Sequence, residues 1–147
     1  MTDPESVDRI VRGHCSCEAV TFRVRGEPRF VAVCHCDNCR RAHGAGGVEW
    51  AGYREEQFEM DDESSLSHWR TPTEATRSFC SRCGSPLFFR APRWAGEVHI
   101  AVAAMIDDPG KAPAVRVYAD RPPAWLPVPK DGLKRFGGHD GMQPMGE

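Results

Sequence analysis

CHCDNCRRAHG, residues 34–44, sets Cys34, Cys36 and Cys39 beside Arg40 and Arg41 within eleven positions. Three thiols are one too many for a disulfide and one too few to close a tetrahedral zinc site. What completes the set decides both the fold and the chemistry.

Working outward, the other four cysteines form two short pairs, Cys15-x-Cys17 and Cys80-x-x-Cys83. The stretch MTDPESVDRIVRG is polar and acidic, without the character of a signal peptide, so a reducing cytosolic setting is expected. There, seven cysteines are expected as metal ligands or nucleophiles rather than disulfides. FCSRCGSPL (79–87) suits a zinc knuckle. A tight turn brings two thiolates to one metal, and Gly84 permits the positive φ that aims backbone N–H groups at sulfur.

A knuckle supplies two ligands and needs two more. In one partition Cys15 and Cys17 complete it, and Cys34, Cys36 and Cys39 share a second zinc with an open position. In the other, two central cysteines complete it and the rest stay free. The first is preferred because it uses both short pairs whole. Closed four-ligand zinc sites are structural, whereas three protein ligands plus an exchangeable position mark catalytic ones. A histidine could instead close the second site. His35 would have to fold back on its own turn, and His43 is better spaced, though a histidine beside a metal is often only a hydrogen-bond donor to it.

The 147 residues fit one domain. With 14 glycines and 12 prolines, composition favours short strands over long helices. AVTFRVR (19–25) alternates, with Val20, Phe22 and Val24 on the buried face. Further strands are expected at 29–33, 48–50, 65–70, 76–79, 85–90, 97–103 and 115–118, with a helical turn at 53–60. DNCRRAH (37–43) reads as a short helix capped by Asp37 and ended by Gly44. His99 falls on the strand face opposite Val98 and Ile100 and is expected to be exposed. Residues 1–12 read as a loose start, and the Pro-rich stretch from 120 as a surface wrap. The fold class is mainly β.

The formal net charge of −2 becomes more negative once thiolates bind zinc, which argues against a nucleic-acid partner. No apolar run approaches the ~18–20 residues that span a membrane, so no membrane partner is expected.

With these groups in place, the chain resembles the glutathione-dependent formaldehyde-activating enzyme family, which also includes centromere protein V. The matching stretches are GHCSCEAVTFRV (13–24), CHCDNCRRAHGA (34–45) and RSFCSRCGSPLFF (77–89), with weaker matches at IDDP (106–109) and the PPAW ending at Trp125. The resemblance implies a zinc-binding domain over 13–125 with 1–12 and 126–147 as flanks. It also implies a β-tent of antiparallel sheets with zinc knuckles, few short helices and two zinc ions. Cys15, Cys17, Cys80 and Cys83 would hold the structural metal, and Cys34, Cys36 and Cys39 the catalytic one. Two departures stand out: the family usually has Gly where Glu18 stands and often His where Arg116 stands.

The activity so implied joins a glutathione-like thiol to formaldehyde, or runs in reverse as a carbon–sulfur lyase. Zinc with an open position deprotonates a bound thiol outright. Three thiolates weaken its Lewis acidity, so holding a soft thiolate suits it better than activating water. Arg40 and Arg41 would offset the cluster's charge or attract ligand carboxylates. The rival readings are a non-catalytic zinc scaffold or thiol carrier, and a redox sensor in which Cys34, Cys36 and Cys39 release zinc and form a disulfide.

Overall fold

Alternating side chains over 19–25 do build a strand, with Val20, Phe22 and Val24 buried and Thr21 and Arg25 exposed. In this computed structural model, which describes residues 9–146, the strands in chain order begin with β1 (Ile10–His14), β2 (Thr21–Arg25) and β3 (Phe30–Cys34). The helix α1 (Asp37–His43) follows, then β4 (Val48–Arg54), β5 (Phe58–Met60), β6 (Leu66–Arg70), β7 (Thr76–Cys80), β8 (Pro86–Arg90) and β9 (Glu97–Ala101). β10 (Val115–Val117), β11 (Lys134–Gly137) and β12 (Gln143–Pro144) complete the set. The fold is mainly β, as the turn-rich composition predicts.

The chain divides into two compact units. The first comprises the described residues up to Arg29 together with Ala51–Lys111. Its β1–β2–β5 sheet is antiparallel, with Val11 opposite Val24 and Phe22 opposite Met60. A second antiparallel run orders β9, β8, β7 and β6, with Phe88 opposite Ile100 and a register shift between Ser78 and Phe79. The Phe88 ring meets Phe22 and Phe58 edge-on at 5.2 and 5.0 Å, an arrangement aromatic quadrupoles favour. Asp107, in the IDDP stretch, holds β1 by accepting from the Arg12 backbone N–H at 3.0 Å and from its Nε at 2.9 Å.

The second unit comprises Phe30–Trp50 and the described residues from Ala112 onward. Here β10 lies between β3 and β11 and runs parallel to both, with Arg116 opposite Val33 and Val115 opposite Lys134. The sheets are therefore mixed rather than purely antiparallel. Parallel neighbours need a long crossover, and the residues between β3 and β10 supply one.

Other elements also differ from expectation. β1 begins at Ile10, inside the stretch read as a loose start, whose residues 1–8 lie outside the described ones. The 53–60 stretch splits into the end of β4, a 3-10 turn at Glu55–Gln57 and β5, because Phe58 and Met60 alternate with exposed Glu59. The Pro-rich stretch carries β11 and β12. Among the described residues, no helix is long and apolar enough to cross a membrane.

Candidate metal centre

The closed cluster belongs to the first unit. Cys15, Cys17, Cys80 and Cys83 bring their Sγ atoms within 4.8 Å of one another. Cys17 Sγ is 3.7 Å from both Cys15 Sγ and Cys80 Sγ. Four sulfurs bonded to one zinc at ~2.3 Å sit about 3.8 Å apart along the edges of a tetrahedron. The spacing thus fits a shared ion and lies far outside the ~2.05 Å of a disulfide; all seven cysteines are free thiols.

Local backbone geometry explains why these sulfurs converge. The Arg82 N–H donates to Cys80 Sγ at 3.4 Å, and Gly84, at φ +78°, turns the chain so that its N–H reaches the Cys80 carbonyl at 2.8 Å. Across the cluster, the Val20 N–H donates to Cys15 Sγ at 3.3 Å. Cys15 and Cys80 are buried while Cys17 and Cys83 are exposed. Ser85, which the spacing argument missed, links the two halves. Its Oγ accepts from the Ser16 N–H at 3.0 Å, which leaves its own proton for Cys83 Sγ at 3.2 Å. The Ser85 hydroxyl and its backbone N–H hold the Cys83 thiol down to about 5. Cys17 is favoured as thiolate by the Ala19 N–H, yet burial and its thiol neighbours Cys15, Cys80 and Cys83 push it up to about 11.

The second cluster belongs to the second unit. Cys34 closes β3, Cys36 caps α1 and Cys39 lies in its first turn, which places their Sγ atoms within 4.8 Å of one another. Cys36, not Asp37, is the N-cap: its Sγ accepts from the Cys39 N–H at 3.3 Å, while Asp37 pairs with Arg40. Gly44 ends the helix at φ +62°. Hydrogen bonding with Cys36 and Cys39, together with burial, raises the Cys34 thiol strongly. Three thiolates this close repel one another, and a divalent cation removes that cost. Both donor sets are soft, close and supported by N–H···S contacts, which fits zinc.

No histidine or carboxylate among the described residues joins the three sulfurs as a fourth member of the group. His43 packs its ring edge-on against Trp50 at 5.0 Å. His35 is buried; its Nδ1 lies 3.1 Å from the Gly46 carbonyl and its Nε2 2.9 Å from Arg116 Nη1. Burial lowers its pKa, with the Arg116 charge acting in the same direction. Elsewhere, His99 is buried rather than exposed, because Glu97 accepts from it at 3.0 Å and Phe89 and Trp94 flank its ring.

A mainly β protein with one closed and one open thiol cluster defines a class of cysteine-rich metal-binding domains. The sequence profile of the glutathione-dependent formaldehyde-activating enzyme family matches residues 10–121, and the chain belongs to that family. A Halomonas elongata protein named "Putative glutathione-dependent formaldehyde-activating enzyme" is 30% identical over 129 residues, covering 81% of each chain. A crystal structure of a Rhodobacter sphaeroides protein is similar at a TM-score of 0.56 and 25% identity, covering 69% of this chain and 97% of that one.

Proposed function

We propose that the protein binds two zinc ions, a structural one at Cys15, Cys17, Cys80 and Cys83 and a functional one at Cys34, Cys36 and Cys39, and that it joins a glutathione-like thiol to formaldehyde. The observation that carries this reading is the three-sulfur cluster, to which no fourth ligand is offered by a described histidine or carboxylate. Zinc bound there supplies a position at which an incoming thiol is deprotonated and held as thiolate at neutral pH.

The chain's own groups do the rest. Cys34, Cys36 and Cys39 present the soft donors, and the Cys39 N–H bonded to Cys36 Sγ withdraws part of the cluster's negative charge. Arg40 is committed to Asp37, which leaves exposed Arg41 as the helix cation better placed to meet a ligand carboxylate. The substrate sulfur attacks the formaldehyde carbon and a carbon–sulfur bond forms. The carbonyl π electrons move to oxygen, which takes a proton from water. The reverse reaction breaks that bond and accounts for lyase activity.

The test follows S-hydroxymethylglutathione by NMR in the presence of formaldehyde and glutathione. Wild type should exchange adduct and free thiol faster than the uncatalysed reaction, and Cys39→Ser should lose that acceleration. Normal turnover in Cys39→Ser would sink the assignment. No acceleration by zinc-loaded wild type would leave a scaffold or thiol carrier as the better reading.

A further inference from the structure

His35 stands between two cysteines of the open cluster, yet both its ring nitrogens are engaged elsewhere. A carbonyl oxygen only accepts and a guanidinium only donates. The 3.1 Å contact to the Gly46 carbonyl therefore puts the proton on Nδ1, and the 2.9 Å contact to Arg116 Nη1 occupies the lone pair on Nε2. The ring is neutral, in one tautomer, with no lone pair left for a metal.

Arg116 is itself fixed. Its Nε and Nη2 both donate to Asp131 Oδ2, at 3.2 and 2.5 Å, and Asp131 Oδ1 accepts from the Leu133 N–H at 3.1 Å. The His35 backbone is held as well, its N–H donating to the Val117 carbonyl at 3.0 Å. Beneath the ring, a Cβ on Gly47 would fall 2.9 Å from His35 Cε1, so the imidazole rests directly on the loop that follows α1.

We propose that Asp131, Arg116 and His35 form a positioning relay that sets the Cys34–Cys36 turn and denies the cluster its nearest histidine, reserving the fourth position for a ligand from outside the chain. The backbone of His35 is the link between the two sulfurs, so holding its ring and its N–H fixes their separation before any metal arrives. The relay also accounts for the arginine at 116: its fork reaches His35 and Asp131 at once, which a histidine could not do.

The inference rests on the reading of Cys34, Cys36 and Cys39 as a metal site, and the experiment separates the two. Cobalt(II) is titrated into the full metal-free chain against a chromophoric chelator, with the four-cysteine cluster as internal reference. Wild type should bind two equivalents. Arg116→Met should weaken the three-cysteine site on the order of 10–100-fold and alter its cobalt–thiolate absorption, with the reference site unchanged. Arg116→Lys should recover part of the loss, and Asp131→Asn should shift it in the Met direction. Imidazole nitrogen NMR of wild type at neutral pH should show His35 protonated on Nδ1 alone.

Unchanged affinity and absorption in both Arg116→Met and Asp131→Asn would overturn the relay while leaving the metal site intact. Equal losses at both clusters, or a proton on His35 Nε2, would also overturn it. A wild type that binds one equivalent would bring down the metal reading and the relay together. Should Arg116→Met fail to fold, Asp131→Asn on its loop decides by the same criteria.

Discussion

Cys17 Sγ stands 3.7 Å from Cys80 Sγ, across 63 positions of sequence. A contact of that length, between residues on the β1–β2 turn and at the end of β7, closes a long loop. If one ion bridges it, metal binding is part of folding free energy. Cys80→Ser should therefore lower the thermal midpoint sharply or yield aggregated protein, and a strong chelator should do the same to wild type. Wild-type thermal stability in Cys80→Ser would contradict a structural role for this cluster.

Glu18 adopts φ +64°, a left-handed conformation that costs a non-glycine residue ~1–2 kcal/mol. It sits between Cys17 and β2, its N–H donating to the Cys15 carbonyl at 3.1 Å. The family's usual glycine at this position now has a physical reason. Glu18→Gly should stabilise by roughly 0.5–1 kcal/mol, the backbone relief being partly offset by glycine's greater unfolded freedom. Chemical denaturation measures it, and a loss of stability would count against the strain.

Tyr53 is fully buried in β4, and its Oη has no hydrogen-bond partner among the described residues. Burial pushes the phenol up to about 12. A raised folded-state value means the native protein keeps the proton longer than the unfolded chain does. Its stability contribution is complete below the ordinary value near 10 and is lost as pH rises toward about 12. Tyr53→Phe should flatten that alkaline loss. At neutral pH it should be neutral or stabilising by about 1 kcal/mol, since an unpaired buried hydroxyl is removed. Denaturation curves at neutral and alkaline pH check both parts.

Gly47→Ala places a Cβ 2.9 Å from His35 Cε1 and 3.1 Å from Val33 Cγ1. With His35 held on both sides, the ring has no easy retreat, and overpacking of this kind costs roughly 1–3 kcal/mol. The variant should lose stability by that amount in denaturant. Unchanged stability would mean the loop yields instead.

Much of this was legible in the sequence for definite reasons. The cysteine spacings separate the two clusters because C-x-C and C-x-x-C turns can only bring near neighbours to one point. The apolar alternation of Val20, Phe22 and Val24 finds β2, and DNCRRAH gives α1 with its Gly44 end. Illegible were the features that depend on partners distant in sequence. His99 looks exposed by alternation, but Glu97 lies on its own strand face and satisfies its ring. β11 hides in a Pro-rich stretch because its partner β10 lies beyond a turn that the Arg116–Asp131 pair holds. Ser85 follows Gly84 directly, and a hydroxyl one step past a knuckle glycine is a signal that could have been read.

The central claim is that two separate cysteine clusters each hold a metal ion, and zinc counted per chain tests it most directly. Elemental analysis and native mass spectrometry would compare the full chain with a triple variant in which Cys34, Cys36 and Cys39 are serine. The account predicts two zinc ions per wild-type chain and one per variant chain, with the variant still folded. A wild type with one ion or none, or a variant that keeps two, would contradict it.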